Sequence, residues 1–424
     1  MKEPIKMRHK YLILRKQRMS LTIKLLILLT IPFCVDAYNF LTISDIHLNN
    51  EQTHTMNLDP AGYNEDNDMD LQSFFEISHA IKHSIGEGKL IPARPDFVLH
   101  LGDMIGHRTT RENNRTKLVE ENEHIVLSTM QDIFPGTPII TVFGNNDGFE
   151  KDYGRFTYKG MSPFNTAVQN GFKNGFLSDG EVCNGKLLPK YPCILSQNEI
   201  YGFFTLKLQA NLILIGINSV ALSPYYKVRS QKTAKLQMEF VHKHLELAKV
   251  NKMSVLIAMH IPVGKNVYDG TLFWKSSHRD KFLELIIEYQ NEIMGLLVGH
   301  THMEEFKIIT TTKEKVIGEF FTAGLSTSHG NSPSIKLFEL IDQKDDWSIH
   351  NYIAYQIHPG PQEDEPVISK YYDFRTAYCE NFPRLANIDS CLSHIKFNQT
   401  RHRFTVNNPN FEQDIVSPDA FYVN

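Results

Sequence analysis

The sequence predicts a layered α/β fold in which central β-sheets are flanked by helices. Two segments, 71–88 and 233–252, repeat apolar residues at three- and four-residue steps, as amphipathic helices do. Apolar runs of strand length lie before, between and after them. These runs are 38–44, 96–101, 137–143, 211–217, 254–259 and 293–299. Strands that alternate with helices indicate a sheet with covered faces.

The chain is long enough for one large domain or two modest ones. It has 424 residues, of which 42% are hydrophobic and 22% charged, an ordinary globular composition. We expect a main domain over 38–342, with a long insertion at 151–205. The strand pattern thins after residue 342, so we expect 343–424 to be a small C-terminal appendage.

The N-terminus has the pattern of a secretory signal peptide. Basic residues are followed by a short apolar run at 25–35 and by small residues at Val35 and Ala37. We expect residues 1–37 to be the signal, with Met19 as a possible start, and an uncleaved anchor as the alternative. The protein would then be exported, with the periplasm, the extracellular space and an acidic lumen all open. Asn114 and Asn398 begin glycosylation sequons.

The cysteines agree with export. Without Cys34, which belongs to the signal, four cysteines are left, and three pairings are possible. Neither spacing resembles a CxxC metal knuckle, so structural disulfides are favoured. We expect local pairing, Cys183 with Cys193 and Cys379 with Cys391.

The net charge of −4 gives no basic bias of the kind that indicates a nucleic-acid partner. We also expect a monomer without a transmembrane segment in the mature chain, because the apolar run is short and belongs to the signal.

Polar residues of metal-ligand type follow five of the predicted strands. A single residue of this kind is more often a turn former, but five in succession are hard to obtain by chance. In open α/β sheets the functional crevice lies beyond the carboxyl ends of the strands, so these side chains should converge. They are Asp45, His47, Asp103, Asn145, His260, His300 and His302.

Four histidines, two aspartates and one asparagine are more ligands than one ion uses. The sequence therefore predicts two divalent metal ions, bridged by Asp103. Imidazole with carboxylate suits zinc, iron or manganese; we expect zinc, with the other two open. Paired ions about 3.5–4 Å apart suit in-line displacement at phosphorus.

These motifs resemble the signature of the calcineurin-like metallophosphoesterases. The chain has DxH at 45–47, GD at 102–103, GN at 144–145, a later histidine and GHxH at 299–302, in the family's order. Within that superfamily it is most similar to the acid sphingomyelinase-like phosphodiesterases, to which endopolyphosphatases are related. The similarity rests on GDMIGH, MHIPVG, STSHGNSPS and the cysteine-bearing C-terminal segment.

The resemblance implies a role for each site residue and makes 38–342 the catalytic domain. His107 would lie beside the substrate phosphate as a proton donor or charge stabiliser; the alternative is a packing histidine. One metal would be held by Asp45, His47, Asp103 and His302, and the other by Asp103, Asn145, His260 and His300.

Asn146 departs from the family, which usually has a second catalytic histidine there. An amide can donate a hydrogen bond but cannot give up a proton. General acid help contributes about 10²–10⁴-fold, and a poor alkoxide leaving group needs it most. We therefore expect a preference for phosphoanhydrides, in nucleotides or polyphosphate.

The expected function is that of a secreted binuclear-metal phosphoesterase. It would hydrolyse phosphodiester or phosphoanhydride bonds of small phosphorylated substrates with metal-activated water. One alternative is sphingomyelin phosphodiesterase activity. Another is a catalytically weakened homologue that binds a phosphorylated ligand, and an exported structural protein is the third.

Overall fold

The computed structural model describes most of the chain beyond the N-terminal segment. The predicted signal up to residue 36 lies outside the described residues, as do Asn114 and Asn398 of the two sequons. The described ranges are 37–53, 56–58, 68–107, 115–150, 152–169, 182–183, 191–228, 231–267, 269–311, 315–344, 346–360, 365–380, 388–396 and 422–423.

The described residues contain fourteen strands and seven α-helices. The strands are β1 (Tyr38–Ile43), β2 (Phe97–His100), β3 (Ile139–Thr141), β4 (Cys193–Asn198), β5 (Phe203–Gln209), β6 (Leu212–Gly216), β7 (Ser254–Ala258), β8 (Ile293–Val298), β9 (Phe306–Thr310), β10 (Val316–Phe321), β11 (Ser334–Asp342), β12 (Trp347–Pro359), β13 (Pro366–Asp373) and β14 (Tyr422–Val423). The helices are α1 (Leu71–His83), α2 (Arg115–Ile133), α3 (Pro163–Gln169), α4 (Lys232–Asn251), α5 (Ser276–Glu288), α6 (Phe374–Tyr378) and α7 (Asp389–Leu392).

Two mixed sheets form the centre of the fold, which confirms the predicted layered α/β class. The first has the strand order β13-β12-β11-β1-β2-β3, and the second β14-β9-β10-β8-β7-β6-β5-β4. Strands β1, β2 and β3 run parallel to one another, and so do β6, β7, β8 and β10. The carboxyl ends within each parallel set therefore lie at one edge of their sheet.

The sheets pack face to face through large apolar side chains. Phe40 of β1 stacks on Phe97 and Phe338, with ring centroids 4.7 and 4.9 Å apart. Phe338 in turn meets Phe320 of the second sheet at 6.0 Å. On the other face of the second sheet, apolar residues of α4 and α5 join a separate buried cluster that includes Ile213 of β6. Helices thus cover a sheet sandwich, and the alternation of apolar runs and helices in the sequence reflects these layers.

All six predicted strands and both predicted helices form, within one to five residues of the expected ends. The region after residue 342 holds more strand than the sequence analysis expected. Strands β12 and β13 continue the first sheet by antiparallel pairing onto β11. Their alternation was hard to recognise because β13 is a half-exposed edge strand with mixed polar and apolar residues. The domain boundary at 342 stays a prediction.

Both expected disulfides are formed. Cys183 bonds to Cys193 and Cys379 to Cys391, with Cα atoms 5.2 and 5.6 Å apart. The first ties residue 183 of the insertion to β4, and the second ties α6 to α7. Within the described part of the chain, no helix is both long enough and apolar enough to cross a membrane.

Candidate metal centre

The loops that follow the parallel strands are joined through their main chains. The amide of Asp45 donates to the carbonyl of Gly102 at 3.0 Å, and that of His47 donates to Asp103, also at 3.0 Å. Gly102 lets His260 approach this loop closely, because a Cβ atom at position 102 would lie 2.8 Å from the imidazole Nδ1 of His260. Residues far apart in the sequence therefore reach one crevice.

The ligand-type atoms of five predicted residues converge in two groups. In the first, His302 Nε2 lies 3.0 Å from His47 Nε2 and 3.3 Å from Asp45 Oδ1. In the second, His260 Nε2 lies 3.3 Å from Asp103 Oδ2 and 3.8 Å from Asp45 Oδ1. Within each group the ligand atoms lie within 4.8 Å of one another. The two groups share most of their members with the two predicted ligand sets, although Asp45 takes part in both groups. The assignment of each residue to one metal ion stays a prediction.

Asp103 lies between the two groups. Its Oδ2 is 3.6 Å from His47 Nε2 and 3.3 Å from His260 Nε2, the position required of a bridging carboxylate. Asn145 joins the second group, since its Oδ1 is 3.2 Å from His260 Nε2. The amide of Asn145 is held in that orientation by Asp152, whose Oδ1 accepts from Nδ2 at 2.8 Å.

His300 lies beside these two ligand groups, and among the described residues it belongs to neither of them. Its Nε2 pairs with the hydroxyl of Tyr153 at 3.2 Å, and its main-chain amide donates to Asp45 Oδ2 at 3.0 Å. The role of His300 as a ligand stays a prediction.

The residues fit metal ions. Two imidazole Nε2 atoms face each other at 3.0 Å, and buried Asp45 Oδ1 accepts no hydrogen bond from the described residues. Asp45, His47 and His260 are fully buried, and a buried polar atom without a partner is costly unless a cation or donor completes it. Nitrogen and carboxylate oxygen atoms are the donors that zinc, iron and manganese accept.

Left-handed backbone is concentrated at this site. Nine described residues other than glycine have positive φ, and five of them are predicted metal ligands. They are Asp45 (50°), His47 (50°), Asp103 (56°), His300 (74°) and His302 (58°). Such conformations persist where the surrounding structure enforces them, and they cluster at functional sites.

The buried charges shift the pKa values of their neighbours. Burial alone would lower the pKa of His260, but the Asp103 and Asp45 carboxylates raise it to about 9. Burial would raise the pKa of Asp103, yet the facing imidazoles of His260 and His47 hold it well below its usual range. Burial lowers the pKa of His300 to about 3. Charged carboxylates and a neutral His300 are forms that metal binding requires, whereas His260 would release a proton on binding an ion.

Asp147 is a residue beside the ligand groups that no sequence motif singled out. Its carboxylate accepts from four main-chain amides: Gly144 (2.7 Å), Asp103 (2.8 Å), Met104 (2.8 Å) and Ile105 (3.3 Å). It thereby joins the loop after β3 to the loop after β2 and fixes the main chain that carries Asp103. The only sequence signal was an acidic residue directly after the two asparagines.

His107 lies against the first ligand group. Its ring stacks on His47 with centroids 4.0 Å apart and planes inclined by 7°. Its Nδ1 is 2.9 Å from Oδ1 of Asp68, a buried residue, and its main-chain amide also donates to that oxygen at 2.9 Å. No local motif pointed to Asp68, which precedes α1 and is brought to the site by the fold.

Asn146 is directed at the Asp103 carboxylate. Its Nδ2 donates to Asp103 Oδ2 at 2.8 Å, and its main-chain amide donates to Asp103 Oδ1 at 2.8 Å. The Arg115 guanidinium donates to the Asn146 carbonyl at 2.8 Å. The amide therefore holds Asp103 in place, and its influence on the leaving group stays a prediction.

The fold and these ligand groups define a class of protein. The sequence profile described as calcineurin-like phosphoesterase matches residues 38–304. The chain belongs to this family, whose members are metal-dependent phosphoester hydrolases.

Curated relatives lie in the expected branch. The cyclic GMP-AMP phosphodiesterase SMPDL3A of Bos taurus is 25% identical over 254 residues, covering 57% of this chain and 52% of that protein. The sphingomyelinase phosphodiesterase D of Dictyostelium discoideum is 22% identical, covering 60% and 54%. An endopolyphosphatase of Cryptococcus neoformans is 21% identical, covering 56% and 33%. The chain thus matches about half the length of the first two relatives.

Among solved structures, a dimetal phosphatase from Danio rerio aligns with a TM-score of 0.48 at 12% identity. The alignment covers 79% of this chain and 99% of that one.

Proposed function

We propose that this protein is a binuclear-metal phosphoesterase that hydrolyses phosphodiester or phosphoanhydride bonds. The observation that carries the proposal is the convergence of buried imidazole and carboxylate atoms from four separate loops. The family and its relatives support the same chemistry, because the activities for which they are named all concern bonds to phosphorus.

Each ligand group would hold one divalent ion. Asp45, His47 and His302 would hold the first, and His260 and Asn145 the second, with Asp103 shared and His300 completing the latter. When bound, such a pair lowers the pKa of water and neutralises phosphoryl oxygens. The chain's own part is to present these atoms already in place, held by Asp147, Asp152 and the main-chain bonds between loops.

His107 would deliver a proton to the leaving oxygen. The Asp68 carboxylate is an acceptor, so Nδ1 of His107 carries a proton and Nε2 is the nitrogen that exchanges one with the substrate. Asp68 thus sets the tautomer and orientation of His107, as a carboxylate does for other catalytic histidines. The stacked ring of His47 fixes the plane in which Nε2 points.

The substrate preference follows from having one such acid. The Asn146 side chain is occupied by Asp103 and has no proton to give. Leaving groups that are stable as anions, such as a phosphate or a nucleoside phosphate, are therefore favoured over alkoxides. The relatives named for cyclic GMP-AMP and for polyphosphate are consistent with this preference. The relative named as a sphingomyelinase phosphodiesterase makes sphingomyelin the alternative substrate to test.

A substrate panel on the metal-loaded protein tests the proposal. Zinc-, iron- and manganese-loaded samples would be compared on bis(p-nitrophenyl) phosphate, ATP, inorganic tripolyphosphate and sphingomyelin, with metal content measured by mass spectrometry. We expect two ions per chain and hydrolysis that Asp103→Asn abolishes. Bis(p-nitrophenyl) phosphate needs no acid, so its stability towards a fully loaded protein would establish the phospholigand-binding alternative instead.

We also propose export to an oxidising compartment. The two disulfides support it, since such bonds persist outside the reducing cytosol. Cleavage after Ala37 would give a mature chain that begins at Tyr38, directly at β1. N-terminal sequencing of the protein recovered from the culture medium or lumen of an expressing cell distinguishes the cleaved signal from an anchor.

A further inference from the structure

A cavity of about 160 Å³ lies beside the metal ligand Asn145. It is bounded by the loop after β3, by residues 154–157, and by residues between β6 and α4. An engineered cavity of roughly 150 Å³ accommodates one benzene ring, and a single water needs only about 10–15 Å³. The cavity is thus the size of one aromatic ring and adjoins the site of the reacting phosphate.

Asn218 lines this cavity with an acceptor that lacks a partner. The residue is only 4% exposed, and its Oδ1 accepts no hydrogen bond from the described residues. Its Nδ2 donates to the main-chain carbonyl of Tyr201 at 3.2 Å. Because that carbonyl can only accept, the orientation of the amide is settled and Oδ1 is the atom left over.

Gln237 holds the main chain of Asn218 in place. Its Oε1 accepts from the Asn218 amide at 2.8 Å, and its Nε2 donates to the Asn218 carbonyl at 2.9 Å. Gln237 is fully buried in α4, so this pair of bonds fixes the main chain. Because buried acceptors are normally hydrogen-bonded, we expect a bound ligand to donate to Asn218 Oδ1.

The rest of the cavity lining is aromatic and cationic. Tyr201 and Tyr226 contribute phenol rings, which can stack on a planar ligand. Lys232 and Arg155, which also pairs with Glu150 at 3.7 Å, contribute exposed N–H groups that can donate to ring or sugar oxygens of a bound ligand. A ligand that suits all of these is a planar ring with a hydrogen-bond donor, linked to phosphate.

We propose that this cavity is a nucleoside subsite of the metal centre. The base or sugar donates from an N–H or O–H group to Asn218 Oδ1, the phenol rings pack on the base, and the attached phosphate reaches Asn145 and the metal ligands. The inference rests on the proposed phosphoesterase function and narrows its substrates to nucleotides. Polyphosphate and sphingomyelin have no planar ring to pack between the phenol rings.

Calorimetry on the metal-loaded protein tests the subsite without relying on catalysis. The probes are AMP and inorganic phosphate, and the variants are Asn218→Leu, which removes the acceptor, and Lys232→Ala, which lies on the surface. We expect each variant to weaken AMP binding roughly 3- to 10-fold, the effect of one lost hydrogen bond or ion contact, with a smaller change for phosphate. Lys235→Ala, one turn along α4 and outside the cavity lining, is the matched control.

The outcomes separate the subsite from the phosphoesterase function. Equal losses for AMP and phosphate, or AMP binding no tighter than phosphate binding in the wild type, would overturn the subsite. Hydrolysis of bis(p-nitrophenyl) phosphate in the same samples reports on the metal centre alone. If that hydrolysis fails while AMP still binds through Asn218, the subsite stands and the phosphoesterase function falls. If circular dichroism shows that Asn218→Leu has not folded, the Lys232→Ala result alone tests the subsite.

Discussion

The Nδ1 atom of His107 lies 2.9 Å from the Asp68 carboxylate, although 39 residues separate them in the sequence. Asp68 is 1% exposed, whereas the His107 side chain is 34% exposed. A buried carboxylate thus orients a partly exposed imidazole that stacks on His47 of the first ligand group.

This pair gives the first prediction. Asp68→Asn should lower kcat on alkyl phosphodiesters roughly 10- to 100-fold, because an amide no longer fixes the tautomer of His107. The change on bis(p-nitrophenyl) phosphate should be much smaller, since that leaving group needs no proton. Steady-state kinetics on both diesters measure the difference. Asp70→Asn is the control, because Asn also caps α1 there. Equal losses on the two diesters would show that Asp68 is only structural.

Asn146→His tests the leaving-group hypothesis. A histidine restores a group that can give up a proton, so the ratio of activity on an alkyl diester to activity on ATP should rise roughly 10-fold or more. The measurement is kcat/KM on both substrates with metal content held equal. The hypothesis is abandoned if the ratio stays constant, or if the wild type already hydrolyses both substrates at comparable rates.

Asp147→Asn should loosen the loop that carries Asp103. An Asn side chain offers one acceptor oxygen and turns an NH2 group towards main-chain amides that need acceptors. Leaving such buried donors unsatisfied costs about 1–3 kcal/mol each, so we expect a loss of about 2–4 kcal/mol in the free energy of unfolding. Urea denaturation of the metal-free protein measures it, with Asp373→Asn at the start of α6 as the control. A loss below about 1 kcal/mol would contradict the role assigned to Asp147.

Glu319 predicts a pH-dependent stability. Burial raises its pKa from 4.5 to about 8, although the Lys307 charge lowers it. Because the folded-state pKa lies above the unfolded value, this contribution to stability is complete below about pH 4.5 and is lost as the pH rises through 8. The loss is about 5 kcal/mol at most.

Glu319→Gln should remove this slope, since a glutamine can still accept from the Val263 amide through Oε1, as Glu319 does at 2.7 Å. Other buried carboxyls titrate in the same direction, so the quantity to compare is the difference between wild type and variant from pH 5 to 8. Parallel stability curves for the two proteins would refute the prediction.

A chain that ends at residue 342 should not fold. It lacks β12 and β13, and so exposes the edge of β11, a strand of the central sheet. It also lacks Tyr372, whose hydroxyl donates to buried Glu304 at 2.8 Å beside Lys336. We expect insoluble or molten material by size-exclusion chromatography and near-UV circular dichroism. A soluble, cooperatively folded 38–342 fragment would instead establish the predicted domain boundary.

Much of the fold could be predicted because local patterns of apolar residues indicate its strands and helices. Buried parallel strands such as β6 and β8 are continuous apolar runs, and α4 shows its apolar face at helical spacing. Strands β12 and β13 were missed because pairing with β11, a contact between distant segments, defines them more than their own pattern does.

The candidate ligands could be named from the sequence because residues of metal-ligand type follow the strands directly; their binding of metal ions stays a prediction. The sequence by itself determined the layered class, the family, the cysteine pairs and most of the residues that converge. Only the tertiary structure decided how these residues are held: Asp68 on His107, Asp147 under the Asp103 loop, the Asn146 amide on Asp103, and Asn218 beside an open cavity. The physical reason is that a strand or a motif depends on neighbours in the chain, whereas a hydrogen bond depends on which distant atoms the packed sheets bring within about 3 Å of each other.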